Sequence, residues 1–390
     1  MKIIFGCSTC SQRRFSELTE KYNISGGHAI QKYNLLLLRG LAANGAEVRC
    51  VSGLPINRSV TSKKLIHEPD ECADNIFFHY ITTLNLPVFR QLMIFLGTLC
   101  FVLRTKKEKD TFAVCDCLNI ACSYGMLLGC RLKRIKTAVI VTDLPDMEHS
   151  GGALKRVNNR IFDKADAFIL LTEQMNKRVN PKGRPHIVLE GHADSEAPRP
   201  DGQIRYEESG KKVILYAGSI HKMYGIASLT QGFLEADIPN SELHIYGNGD
   251  FTGELKALCE QHGNVLYKGI ADNAEIVRQE QRASLLVNPR PSKPEYTKYS
   301  FPSKNMEYMV SGTPLLTTDL PGMPEEYKPY VYLLQDESPQ GVCRKLREIF
   351  ALPYAARLQK GAAARRFVLE HKSNVAQSRK ILEFLSNTDR

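Results

Sequence analysis

Two Rossmann-like domains, each a doubly wound parallel β-sheet and facing one another across a cleft, are what the sequence predicts. Three observations carry this α/β prediction. Strand-like and helix-like stretches alternate along the 390 residues, the pattern of parallel strands joined by crossover helices. The alternation is interrupted between Asp194 and Lys212, where Pro, Gly, Glu, Arg and Ser predominate as in a linker or long loop. Glycine- or proline-containing loops directly follow several predicted strands, the place where open α/β sheets bind their ligands.

The first series opens with Ile3-Ile4-Phe5, a short apolar strand. A Gly26-Gly27 turn leads into a helix over roughly 28–44, with apolar Ile30, Leu35, Leu37, Leu38 and Leu41 and a stop at Gly45. Strands are predicted at 46–51, 112–115, 137–141 and 167–171, with a helix between Ile120 and Leu132 linking two of them. The second series has strands at 213–217, 242–246, 265–267, 285–287 and 314–317, with helices between them. The length suits two domains of about 100–200 residues each.

Hydrophobic residues make up 43% and charged residues 24%, ordinary globular usage that excludes disordered, collagenous and low-complexity classes. The net charge is +10, and it is unevenly spread: residues 1–194 hold 27 Lys and Arg against 18 Asp and Glu, the remainder 25 against 24. A basic excess fits a solvated surface, a nucleic acid or an anionic membrane. The 11 cysteines are scattered and odd in number, unlike a disulfide framework. Cys7 and Cys10 form a CxxC and Cys115 and Cys117 a CxC, but neither finds the second pair that a zinc site needs. The CxxC follows a strand and runs into Ser-Gln-Arg-Arg rather than an obvious helix start, so buried thiols are expected. No metal site is expected.

The apolar run at Met1–Phe5 is too short for a signal peptide, and a cytoplasmic protein is expected. The stretch Leu92–Leu103 is apolar and is followed by Arg104, Lys106, Lys107 and Lys109. Twelve residues are too few to span a bilayer, which takes about 20. Two readings stand: a buried helix with a basic last turn, or a helix lying in the interface of an anionic membrane.

Four loops of the second series hold the informative residues. Gly218, Ser219, Lys222 and Tyr224 follow the strand at 213–217. Tyr246, Gly247 and Gly249 close the strand at 242–246; glycines there allow close backbone approach to a ligand. Arg290 stands just past the strand at 285–287, where a planar fork can hold an anion. The fourth loop, Tyr299 to Pro314, starts a helix at Ser303 and stops it at Gly-Thr-Pro. A helix N-terminus suits phosphate. Lys304 adds a point charge, and Glu307, one turn on from Ser303, can accept two ribose hydroxyls.

Together these loops resemble the retaining glycosyltransferase family 4, which has the GT-B fold. The segment FPSKNMEYMVSGTPLL looks like the FPSK…EY…G.P branch found among bacterial surface-polysaccharide enzymes. The Gly26-Gly27 turn and the run Val188–Asp194 at the domain crossing fit the same resemblance. It implies an acceptor-binding domain at 1–194, on which a C-terminal helix of about 373–390 packs back, and a nucleotide-sugar-binding domain at 195–372. Glu307 would hold the ribose, and the donor would be a UDP- or GDP-type nucleotide diphosphate sugar with no separate cofactor. Three residues depart from the family. Its first glutamate falls at Tyr299, and its diphosphate Arg and Lys fall near Ser219 and Tyr224. Arg290 and Lys304, with Lys222, are the candidates to replace those cations.

The resemblance implies a front-face, retaining reaction. Cations and helix amides would stabilise the departing diphosphate without a metal. Asp143, just past the strand at 137–141 and followed by Asp146, is the candidate acceptor contact or proton acceptor. The predicted function is sugar transfer to a glycan or lipid-linked saccharide, with peripheral contact between the N-terminal domain and the inner face of an anionic membrane. The alternatives are an inactive GT-B partner subunit and a basic nucleic-acid-binding protein. The second is disfavoured: no helix-turn-helix, RRM or zinc pattern occurs, and there is no Trp.

Overall fold

A computed structural model describes all residues except 23–27, 145–151, 199–203 and 389–390. The chain forms two compact units. One comprises Met1–His192 with Ser373–Arg390, and the other Ala193–Lys372.

The first unit contains β1 (Lys2–Cys7), α1 (Gln12–Tyr22), α2 (His28–Ala43), β2 (Glu47–Ser52), β3 (Leu65–Ile66), β4 (Glu71–Ala73), β5 (Ile76–Tyr80), β6 (Thr83–Leu84) and α3 (Pro87–Arg104). Then come β7 (Thr111–Asp116), α4 (Ile120–Lys133), β8 (Lys136–Val141), α5 (Gly152–Lys164), β9 (Ala167–Leu170), α6 (Glu173–Val179) and β10 (His186–Val188). Eight strands form one sheet in the order β10-β9-β8-β7-β1-β2-β5-β4, parallel except where β4 pairs antiparallel with β5. β1 is buried along its whole length, as a central parallel strand covered on both faces must be. Ile3, Phe5, Val48, Val114 and Ile140 form the core against Leu37 and Leu41 of α2.

The second unit contains β11 (Lys212–Ala217), α7 (Ile226–Ala236), β12 (Ser241–Tyr246), α8 (Thr252–Gln261), β13 (Val265–Gly269), α9 (Asn273–Arg282), β14 (Leu285–Asn288), α10 (Ser303–Ser311), β15 (Leu315–Thr318), β16 (Tyr332–Leu334), α11 (Pro339–Ala351) and α12 (Tyr354–His371). Its six strands are all parallel, in the order β13-β12-β11-β14-β15-β16. Side chains alternate across β11. Ile214 and Tyr216 pack with Phe233 of α7 and Leu346 of α11, whereas Leu215 and Ala217 pack with Met309 of α10 and Val368 of α12. Both faces are thus covered, as in a doubly wound sheet.

A last helix, α13 (Asn374–Thr388), belongs to the first unit. Ile381 and Leu385 enter that unit's core, and Asn374 Nδ2 donates to the Leu36 carbonyl at 3.0 Å. The expected apolar stretch at 92–103 is part of the longer helix α3, which starts at Leu86-Pro87 with proline at its first position. The reading of it as a buried helix is corrected. Ile94, Thr98 and Val102 are buried, while Val88, Phe89, Leu92, Leu96 and Leu103 are exposed.

Candidate functional site

In the second unit the chain runs outward from β11 through β12 to β13, then returns to the other side of β11 as β14. The order of strands therefore reverses between β11 and β14, and a crevice opens at the carboxyl ends of such a pair. The loops after β11 and β14 meet there with the start of α10. Tyr308 fixes α10 in place. Its buried hydroxyl accepts from the Ala217 amide at 2.8 Å and donates to the Ala217 carbonyl at 3.1 Å. Asn305 accepts from Asn288 Nδ2 at 2.7 Å and donates to Thr317 Oγ1 at 3.2 Å. These bonds tie the helix to the ends of β11, β14 and β15, so the amides of its first turn open at the crevice.

The glycines expected to approach a ligand also let the loops approach each other. Gly247 has φ +128°, and a Cβ there would lie 1.8 Å from the Gly218 carbonyl oxygen. Gly225, φ +77°, lies under the loop after β14, where a Cβ would stand 2.2 Å from the Pro289 oxygen. Gly218 sits beside the Tyr216 ring and Gly249 against the Ile220 backbone. Ser219 is exposed, and its carbonyl accepts from the Tyr216 hydroxyl at 2.8 Å. Tyr246 is core rather than loop; burial pushes its phenol up to about 12.

The cations differ in how they are held. The Arg290 guanidinium lies between two rings, 4.9 Å from the centroid of Tyr224 and 5.0 Å from that of Tyr296. Its Nε, the Tyr296 hydroxyl and the Ser300 hydroxyl are buried and have no hydrogen-bond partner among the described residues. Buried polar atoms are nearly always paired, so this loop carries unspent hydrogen-bonding capacity at the strand end. Lys304 pairs with Glu307 at 2.9 Å, both about one-third exposed. Burial opposes the Lys304 charge, but the Glu307 carboxylate, aided by Glu280, holds its pKa above the ordinary value. Ser303 is exposed at the start of α10. Lys222 pairs with Glu254 at 2.5 Å in the open, which raises its pKa.

In the first unit, Asp143 is exposed two residues beyond β8. Asp146, Gly26 and Gly27 lie outside the described residues. The strand order there reverses between β1 and β7, and Asp116 ends β7, buried. It accepts from the Leu118 amide at 3.0 Å, from Asn119 Nδ2 at 3.4 Å and from Asn34 Nδ2 at 3.5 Å. Burial nevertheless holds its carboxyl above the usual range. The strand-end reasoning that selects Asp143 would also have selected Asp116. Tyr224 and Tyr296 were not legible as partners of Arg290, because only the fold brings them together.

The cysteines are free thiols. Cys7 lies 3.5 Å from Cys50, and burial pushes Cys10 up to about 12. The CxxC does precede a helix, α1, but a thiol so disfavoured as thiolate is inert. Among the described residues, no group of three or more His, Cys, Asp or Glu could hold a metal ion.

Residues 202–387 match the family Glycosyl transferases group 1. A protein of Bacillus subtilis (strain 168), assigned as the teichuronic acid biosynthesis glycosyltransferase TuaH, is 28% identical over 195 residues, covering 46% of this chain. That alignment spans 47% of the relative, about half its length. Among solved structures, Anabaena Alr3699/HepE in complex with UDP has a TM-score of 0.68 at 14% identity, covering 99% of this chain and 100% of that one. Sucrose-phosphate synthase from Thermosynechococcus elongatus has a TM-score of 0.67 at 15% identity, with the same coverage. At these identities the structural likeness establishes the fold. The chain thus has the GT-B fold, and its residues 202–387 are similar to the family Glycosyl transferases group 1.

Proposed function

We propose that the protein transfers a sugar from a UDP- or GDP-type nucleotide diphosphate sugar to a glycan or lipid-linked saccharide in surface polysaccharide biosynthesis. The observation that carries this reading is the crevice between β11 and β14. It combines the amides of the α10 N-terminus, a guanidinium held between two tyrosines, and a Lys–Glu pair one turn into the helix. This set matches a diphosphate next to a ribose. Glu307 takes the ribose hydroxyls, while Arg290, Lys304 and the Ser303 turn face the phosphates. The group 1 match and a fold neighbour solved with UDP support the donor class.

The bond from the anomeric carbon to the diphosphate breaks with its electron pair on the departing oxygen. The acceptor oxygen bonds to that carbon on the same face, which retains configuration. Its proton goes to Asp143 or to the departing diphosphate, and no metal takes part. The first unit would receive the acceptor, the second the donor. Calorimetry with UDP and GDP tests the assignment. Glu307→Ala is expected to weaken the nucleotide that binds at least tenfold, and an unchanged affinity overturns the ribose role.

A further inference from the structure

We propose that the exposed face of α3, with the edge of α4 beside it, docks the first unit on an anionic lipid surface. The proposal stands apart from the sugar-transfer reading, because it rests on a different face of the chain. Helix α3 is predominantly apolar, with Arg90, Gln91 and Arg104 its long polar side chains, a composition that soluble proteins bury, yet only 17% of its 18-residue apolar window is buried. The residues facing the protein are Ile94, Thr98 and Val102, one turn apart. The opposite stripe, Val88, Leu92 and Leu96, is also apolar and open to solvent, with Val88 79% exposed. Phe89 is 54% exposed beside it. One side of the helix thus seats it on the unit, and the second stripe stays open among the described residues.

Charge identifies the occupant. Gly125 of α4 packs against Thr98, and Gly129 packs against Val102 one turn further along both helices. The two helices therefore run parallel, and their C-terminal ends lie together; Lys107 Nζ donates to the Arg134 carbonyl at 2.8 Å across them. Arg104, Lys106, Lys109, Arg131 and Arg134 are exposed at that shared end, next to exposed Leu103 and Leu132. The nearby acidic groups are Glu108, which pairs with Lys2, exposed Asp110, and Asp163 and Asp166, which line a hollow with Arg131 and Arg134 but pair with Lys182 and with Thr137. An apolar stripe ending in a cluster of cations fits the boundary between acyl chains and anionic headgroups. At 18 residues α3 is near the length of a membrane span, but Thr98 and Val102 are fully buried against the unit, so it lies on the bilayer rather than through it.

The test is flotation of the full chain with vesicles of phosphatidylcholine alone and of phosphatidylcholine with 30 mol% phosphatidylglycerol. Binding is expected to be about tenfold stronger to the anionic vesicles and to fall in 0.5 M NaCl. Leu92→Glu with Leu96→Glu should abolish it, while the far-UV circular dichroism stays unchanged. Lys106→Glu with Arg131→Glu should remove the anionic preference. Equal or absent binding to both vesicles, or variants that float like the parent, overturns the proposal. Retention in the pellet after carbonate at pH 11 would make α3 a span. A dimer abolished by Leu92→Glu with Leu96→Glu, with no flotation, would give the face to a second copy.

Discussion

Arg290 offers the sharpest separation of a phosphate contact from a structural one. Its guanidinium is fixed between Tyr224 and Tyr296, and its Nε has no partner among the described residues. If that fork receives the diphosphate, Arg290→Ala removes a charge-assisted interaction worth about 1.5–3 kcal/mol. At about 1.4 kcal/mol per decade, the affinity for the nucleoside diphosphate falls roughly 10- to 150-fold. Arg290→Lys keeps the charge but loses the planar fork and the stacking geometry, so it should recover less than half of that free energy. Calorimetry with UDP or GDP, whichever binds, gives the loss; the matching nucleoside is the control. Nucleoside affinity should change by less than about twofold. Losing the two ring contacts costs about 1–2 kcal/mol of stability, so urea titrations must first place both variants fully folded at the assay temperature. The reasoning is refuted if nucleoside and diphosphate weaken equally, or if Arg290→Lys binds like the parent.

Three further predictions follow from the packing and the buried charges. Tyr308→Phe strands the buried Ala217 amide and carbonyl; it should cost about 1–3 kcal/mol in urea unfolding and loosen nucleotide binding through α10. Gly247→Ala places a methyl 1.8 Å from the Gly218 oxygen at φ +128°, and should lower the melting temperature by several degrees, whereas Gly253→Ala, in open space, should not. Asp116 binds its proton more readily folded than unfolded. Its contribution to stability is therefore present at low pH and is lost as pH rises from the ordinary carboxylate range through the elevated folded value. Asp116→Asn can use the unpaired buried Asn34 Oδ1. Its urea midpoint should gain on the parent between pH 4 and pH 7, and a constant difference would contradict the assignment.

How much was legible in the sequence depended on whether a signal was local. The predicted strands at 112–115 and 242–246 fall within β7 and β12 because buried parallel strands read as short apolar runs between turn residues. The start and stop of α10 were legible in Pro302-Ser303 and Gly312, which has φ +75°. Helix α3 was legible as apolar but not as exposed, since its apolar face, Val88, Leu92 and Leu96, is the one open to solvent, the reverse of the pattern that marks a covered face. The site was half legible. Glu307 was legible as lying one turn on from Ser303, but its ion pair with Lys304 was not anticipated. Arg290 could be placed at a strand end, whereas Tyr224 lies far from it in the chain and meets it only through the β11–β14 pairing.

The division of the chain into units also sets an order of events during synthesis. The second unit is an insertion in the first: its two ends are joined by the Ala193 amide donating to the Lys372 carbonyl at 2.8 Å. The first unit lacks Ile381 and Leu385 of its core until α13 is made. At about 5–20 residues per second, the ribosome takes roughly 10–40 s to pass from His192 to α13. Throughout that interval the groove that α13 fills along α2, at Leu36, Leu37 and Gly40, is open. The inserted unit has every element it needs before the surrounding one does, so the part of the protein begun first is the last to be finished.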